Sequence, residues 1–80
     1  MIEELTRYIV LSLVENKDAV QITSVDEGDD IVVRILVDKN DMGRAIGKNG
    51  KIASSIRTIV KSATGRMNKR YIIKIDAREE

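Results

Sequence analysis

Cysteine, histidine, proline, tryptophan and phenylalanine are absent from this chain, and two tyrosines are its whole aromatic complement. Without cysteine or histidine, disulfides, thiolate chemistry, the usual zinc sites and imidazole acid-base catalysis are all excluded. No apolar run approaches the roughly 18 residues that a bilayer span requires, and the N-terminus reads Met1-Ile2-Glu3-Glu4, acidic where a signal peptide would be basic. A cytoplasmic protein with no membrane contact is the expectation. The 80 residues suffice for one small domain and leave little chain for a second, so residues 1–80 read as a single unit without repeat, linker or low-complexity tract.

Net charge is only +1, yet the charges are segregated. Residues 1–38 hold three basic and nine acidic side chains, or −6, whereas residues 39–70 hold nine basic and one acidic, or +8. The last ten residues, with two basic and three acidic, contribute −1. A middle section this basic predicts a positive face over a Debye length of about 8 Å, and counterion release would favour phosphates there.

Within the basic block lies Ile46-Gly47-Lys48-Asn49-Gly50-Lys51-Ile52, two glycines bracketing two polar residues ahead of an amphipathic segment. Glycine at both ends of a turn lets bare backbone N–H groups approach a sugar-phosphate chain that a Cβ would hold off. A helix starting behind the turn adds its own amides and positive dipole end. Lys48 and Lys51 supply mobile positive charge, and Asn49 tolerates left-handed angles while offering a donor and an acceptor. The combination suits an anionic, extended ligand, and points to single-stranded nucleic acid.

Hydrophobic periodicity supplies the frame. Ile2, Leu5, Ile9 and Leu13, widened by Tyr8, Val10 and Val14, predict a helix over 2–15 with that stripe buried. Val20 and Ile22 open a strand, the turn Asp26-Glu27-Gly28-Asp29-Asp30 follows, and the β-branched run 31–37 completes a hairpin. Only Arg34 interrupts that run, which places it inside a sheet with the first strand nearer an edge. Residues 40–46, with Asn40 as cap, an acidic first turn at Asp41 and Gly47 as terminator, predict a short helix. Ile52, Ile56, Ile59, Val60 and Ala63 trace the buried stripe of a longer helix closed by Gly65, and 71–75 forms a last strand parallel to 31–37.

Helix, hairpin, short helix, the IGKNGKI run, long helix and strand together resemble a KH domain of the prokaryotic type, over essentially the whole chain. Glu3-Glu4-Leu5, Asp41-Met42-Gly43 and Ile56-Arg57-Thr58-Ile59-Val60 further resemble the family of small stand-alone bacterial KH proteins called KhpA. The resemblance implies an α+β, type II KH fold of order α-β-β-α-α-β, with a three-stranded mixed sheet covered on one face by helices. It implies a non-catalytic protein, without cofactor, metal or small-molecule substrate, that holds about four single-stranded RNA nucleotides. The gripping turn would be Gly47, Lys48, Asn49 and Gly50. The flanking helices and the adjoining strand would form the groove wall, with Gly43, Arg44, Ile46 and Lys51 as further contacts. There Gly43 would leave space for a base, and Arg44 would pair with a phosphate or stack on a ring. Ile46 stands between ligand contact and core, Ile52 reads rather as core, and Arg57, Lys61, Arg66, Lys69 and Arg70 read as solvated residues extending the positive field. Tyr8 and Tyr71 fall outside this groove, so stacking would not dominate. The resemblance also implies self-association, pairing with a larger KH-containing partner, and post-transcriptional control or RNA chaperoning linked to cell elongation and division. The flank carrying Ser54, Ser55, Arg57, Thr58, Lys61 and Ser62 is the expected dimer surface.

Competing chemistries fit poorly. Three residues separate Gly43 from Gly47-Lys48 where a Walker loop needs four, Asn49 replaces its Ser or Thr, and Ala45 occupies the first glycine position of a G-x-G-x-x-G. Ser54 and Ser55 have no histidine to activate them, Lys61 reads as solvated rather than as a base, and residues 26–30 lack the spacing of a calcium loop. A protein-assembly module with weak RNA contact, and a single-stranded DNA binder, both stay open on the residues alone.

Overall fold

The computed structural model describes residues 2–78. Its elements run α1 (Ile2–Leu11), β1 (Gln21–Asp26), β2 (Asp30–Val37), α2 (Met42–Ile46), α3 (Lys51–Ala63) and β3 (Arg70–Ala77), with single 3-10 turns at Lys17–Ala19, Lys39–Asp41 and Lys48–Gly50. The sheet order is β1-β2-β3, with β1 antiparallel and β3 parallel to β2. The predicted α+β architecture is therefore present, with β2 central and β1 at an edge. Among the described residues, no helix is long and apolar enough to cross a membrane.

Strand alternation decides which face is covered. Val33, Ile35 and Val37 of β2 are fully buried, while Arg34 between them is exposed and pairs with Asp76 across the open face at 3.6 Å. Ile73 of β3 joins the buried side, and Ile2, Val10, Ala45, Ile56 and Val60 from the helices complete one core.

Both long helices are rotated about their axes from the expected orientation. In α1 the buried stripe is Ile2, Thr6 and Val10, continued by Val14 beyond the helix, and Tyr8 is 74% exposed. Thr6 can occupy a core position because its hydroxyl donates to the Ile2 carbonyl at 2.8 Å, which leaves no unsatisfied polar group. In α3 the buried residues are Ala53, Ile56 and Val60, whereas Ile59 is 44% exposed and Ala63 lies on the surface. Thr64 repeats the Thr6 device, donating to the Val60 carbonyl at 2.8 Å, and the helix ends there without a left-handed Gly65.

α1 stops four residues before its expected end at 15. The Ser12 amide is shared between the Tyr8 and Ile9 carbonyls, both at 3.2 Å, and the Leu13 amide reaches back only three residues to Val10, so the chain tightens out of the helix. What holds this exit is Asp41, which is completely buried. Its Oδ2 accepts the Asn16 amide at 2.9 Å and Asn16 Nδ2 at 3.1 Å, and its Oδ1 accepts the Glu15 amide and Arg44 Nη1, each at 3.2 Å. Asp41 is thus a bridge to α1 rather than an acidic first turn, and the cap ahead of it is Asp38, not Asn40. The Asp38 carboxylate accepts the Asn40 amide at 2.8 Å. The Asn16 amide, followed by the Glu15 amide, the Asn16 side chain and the Arg44 charge, holds the Asp41 carboxyl below its usual range against the opposing effect of burial.

A group with a depressed folded-state pKa contributes stability that is present above its unfolded pKa and lost as pH falls through the folded one. Asp41→Asn turns an NH2 toward backbone donors and is expected to lower the melting temperature at pH 7 by on the order of 10 °C. Thermal melts followed by circular dichroism from pH 7 to pH 3 should show the gap between native and variant narrowing below about pH 4. A gap independent of pH would mean that the carboxylate charge does not matter.

Candidate nucleic-acid interface

The link between α2 and α3 is built on left-handed backbone. Gly47 has φ 79° and ψ 171°, Asn49 φ 57° and ψ 26°, and Gly50 φ 74° and ψ 14°. Asn49 is the sole non-glycine residue with positive φ among the described residues. Gly47 is constrained twice, because a Cβ there would also collide with the Ile52 side chain and lie 2.9 Å from the Ile52 amide nitrogen. Gly50 has open space around its Cα, so its backbone angles alone favour glycine.

Two hydrogen bonds close the turn, Gly47 N to Gly43 O at 2.8 Å and Gly50 N to Gly47 O at 3.1 Å. The amides of Lys48 and Asn49 have no acceptor among the described residues, and both side chains are exposed. Two N–H groups without an acceptor, beside the exposed Lys48 and Lys51, are the kind of donors an anion requires. Ile52 packs beneath the turn against the core, as expected. Ile46 is half-buried and stays outside the core cluster. Open space lies over Gly43.

From Gly50 a stripe of α3 residues at helical spacing, Ser54, Arg57 and Lys61, runs about 16 Å along one side of the helix. Arg57 is anchored to β3, donating from Nη2 to the Ile73 carbonyl at 3.3 Å. Between α3 and β3 lies a groove of about 540 Å³ whose walls include Arg57, Lys61, Met67, Asn68 and Tyr71. Tyr71 is half-buried and leans partly on the core. This aromatic was expected to lie outside the groove around the glycine turn, and it lines instead the α3–β3 groove, whose walls do not include that turn. Its position follows from the register of β3, which turns odd-numbered residues to the helical side and was not readable from composition.

The electrostatics are narrower than charge segregation suggests. Arg44 is held by its own chain, with Nη2 2.6 Å from Glu15 Oε1 and Nη1 bonded to Asp41 and, at 3.4 Å, to the Asn40 carbonyl. Lys69 forms an ion pair with Asp26, which depresses the Asp26 carboxyl together with the Gly28 amide. Arg70 is bound through two nitrogens to Asp30, at 3.0 and 3.3 Å, which raises its already high pKa. Lys48, Lys51 and Lys61 are exposed and enter no ion pair among the described residues. Four of the six exposed cations of residues 39–70 that enter no ion pair among the described residues, Lys48, Lys51, Arg57 and Lys61, therefore lie on the glycine turn and α3, with Lys39 and Arg66 outside them.

Comparison with known proteins identifies the family. Residues 3–75 match the KhpA/KhpB KH domain family. The RNA-binding protein KhpA of Caldanaerobacter subterraneus subsp. tengcongensis is 42% identical over 72 residues, covering 90% of this chain and 96% of that protein. KhpA of Clostridium acetobutylicum is 40% identical over 73 residues, with 91% and 97% covered. Among solved structures, an Aquifex aeolicus Era variant bound to GDP.AlF4- superposes with a TM-score of 0.68 at 19% identity, over 99% of this chain and 31% of that one. That likeness speaks to the fold alone. An α+β domain of type II KH order, a two-glycine turn between its central helices and near full-length relatives at this identity leave one assignment: the chain belongs to the KhpA/KhpB family of KH domains, and it is not an enzyme.

Proposed function

We propose that this chain is a cytoplasmic, non-catalytic RNA-binding protein whose Gly47-Lys48-Asn49-Gly50 turn grips the backbone of about four unpaired nucleotides laid along α2, α3 and the β3 edge. The observation that carries the reading is the pair of acceptor-free amides at Lys48 and Asn49, presented by a left-handed turn between unpaired lysines. The relatives named as RNA-binding proteins support RNA over DNA. Lys51 extends the grip, Gly43 leaves room for a base, and Ile46 offers an apolar contact beside it. Arg44 takes part only after exchanging Glu15 for a phosphate. Stacking is limited to Tyr71, so affinity comes chiefly from phosphates and is modest.

Lys48→Asp with Asn49→Asp reverses the turn's charge and keeps a residue type that accepts left-handed angles at 49. Anisotropy of a labelled, unstructured RNA pool should show native binding with a slope of log affinity against log salt of roughly −2 to −3, and loss of binding in the double variant. Equal binding by both would remove the clamp, binding of DNA at equal strength would remove the RNA preference, and no binding by either would favour the assembly-module reading.

One short site selects poorly among transcripts, so the proposal includes a second copy or a larger KH-containing partner supplying another site, in post-transcriptional regulation or RNA chaperoning. α3 divides its exposed surface between the two tasks. Ser54, Arg57 and Lys61 share the groove side, while Ser55, Ile59 and Ser62 lie on the opposite flank, where Ile59 is an exposed apolar residue among small ones. Sedimentation at about 50 μM should give a dimer for the native chain and a monomer for Ile59→Glu with unchanged circular dichroism. A native chain that stays monomeric there, and alone with a KH partner, would overturn the second-site argument.

A further inference from the structure

We infer that the outer edge of β1 is a docking site for an extended basic peptide segment, which adds there as a fourth strand. The inference goes beyond the RNA reading and does not depend on it. β2 separates β1 from β3, and no β1 residue lines the groove between α3 and β3.

Hydrogen-bond alternation decides which backbone groups of β1 are free. Glu27 N donates to Asp30 O at 2.8 Å, so these two residues form a hydrogen-bonded pair. The register then runs without a bulge from Asp26↔Ile31 to Gln21↔Leu36, which directs the N–H and C=O groups of Val25, Thr23 and Gln21 to β2. Those of Ile22, Ser24 and Asp26 point away from the sheet, and no hydrogen bond reaches them among the described residues. Three outward pairs of donor and acceptor thus stand along about 14 Å of strand. The devices that usually blunt an edge are missing. β1 has no proline, lysine or bulge, and its one charge, Asp26, is matched by Lys69.

Side chains on the two faces say what kind of strand fits. On the open face Val25 pairs with Val32 and Val32 with Ile72, an apolar row that ends at the edge with Val25 52% exposed. An apolar side chain on the added strand continues this row and covers Val25. On the helical face Ser24 Oγ donates to Glu3 Oε2 at 2.8 Å, which lays a carboxylate of α1 against the middle of β1. Glu27, exposed and without an ion pair among the described residues, follows the strand directly. The nearest cations at the other end, Lys17 and Arg78, bond the Val14 and Ala19 carbonyls before the strand begins. Carboxylates therefore border the hairpin half of the edge, where lysine or arginine on an added strand is favoured and a phosphate is repelled.

The test uses the full chain and a fluorescein-labelled heptapeptide of alternating lysine and valine, whose two residue types take opposite faces of a strand. A second peptide, with the central valine replaced by proline, keeps the charge but cannot pair along its length. Ser24→Pro removes an outward N–H without touching the β1–β2 ladder, and Ser24→Ala removes only the hydroxyl. Anisotropy should show binding of the first peptide by the native chain, weakened about three- to ten-fold by Ser24→Pro and unchanged by Ser24→Ala. The proline peptide should bind weakly to all three. Amide hydrogen exchange on the native chain decides the matter if Ser24→Pro does not fold. With the first peptide at about ten times its dissociation constant, exchange at Ile22, Ser24 and Asp26 should slow about ten-fold, and exchange at Lys48 and Asn49 should stay as it was. No binding of the first peptide, equal binding of the proline peptide, equal binding by a folded Ser24→Pro, or no slowing at these three amides overturns strand addition. Tighter binding of a peptide alternating glutamate and valine overturns the basic partner. An oligouridylate that slows exchange at the same amides assigns the edge to nucleic acid and overturns the proposal as well.

Discussion

Burying a carboxylate with no solvent contact is costly unless its oxygens are fully hydrogen-bonded, and the way Asp41 meets that condition organises the helical layer of this domain. Its donors come from the segment leaving α1 and from Arg44 on α2. They converge only if the chain turns out of α1 early and lies against the 3-10 turn that carries Asp41. That requirement sets where α2 begins. With five residues of α2 before Gly47, it also sets how the glycine turn meets α3. The close approach of Gly47 to Ile52, and through it the conformation of the turn at Lys48 and Asn49, depends on an anchor about one helical turn upstream.

Charge is the second organising constraint. Residues 1–38 and 39–70 have opposite charge, and the fold brings them together at three places, Glu15 with Arg44, Asp26 with Lys69 and Asp30 with Arg70. Exposed pairs of this kind contribute little to stability. Their larger effect is on the field, because they remove three cations from the surface that linear segregation seemed to offer. Within residues 39–70, the exposed cations left without an ion pair among the described residues are Lys39, Lys48, Lys51, Arg57, Lys61 and Arg66, four of them on the glycine turn and α3.

Much of this was legible in the residues. β2 and its central place followed from a β-branched run broken only by Arg34, and the glycine turn followed from spacing alone. Hydrophobic periodicity supplied the order of elements, and the family resemblance gave that order a fold type. The helical faces were not legible, for a physical reason. In α1 and α3 apolar residues outnumber buried positions, and hydropathy cannot see that Thr6 and Thr64 satisfy their hydroxyls within the helix and so take core positions. The surplus, Tyr8 and Ile59, is pushed outward. Long-range pairing was equally invisible. Nothing in the spacing of Asp41 announces that it bonds residues 25 and 26 positions earlier, and nothing local to Arg44 announces Glu15.

The two glycines of the turn carry unequal demands, and that inequality says how the interface works. Position 50 needs left-handed angles and has free space, so asparagine or aspartate satisfies it at modest cost. Position 47 needs a positive φ and also the absence of any Cβ, because Ile52 fills the volume one would occupy. Ile52 is there because it packs on the core. The conformation that presents the amides is therefore an extension of core packing rather than a property of a flexible loop. In the proposed clamp, a ligand would meet donors whose positions are held by Ile52 packing under Gly47. With little aromatic surface to offer, a site of this kind depends on holding its backbone donors in place before the ligand arrives, which keeps the entropy cost of binding low.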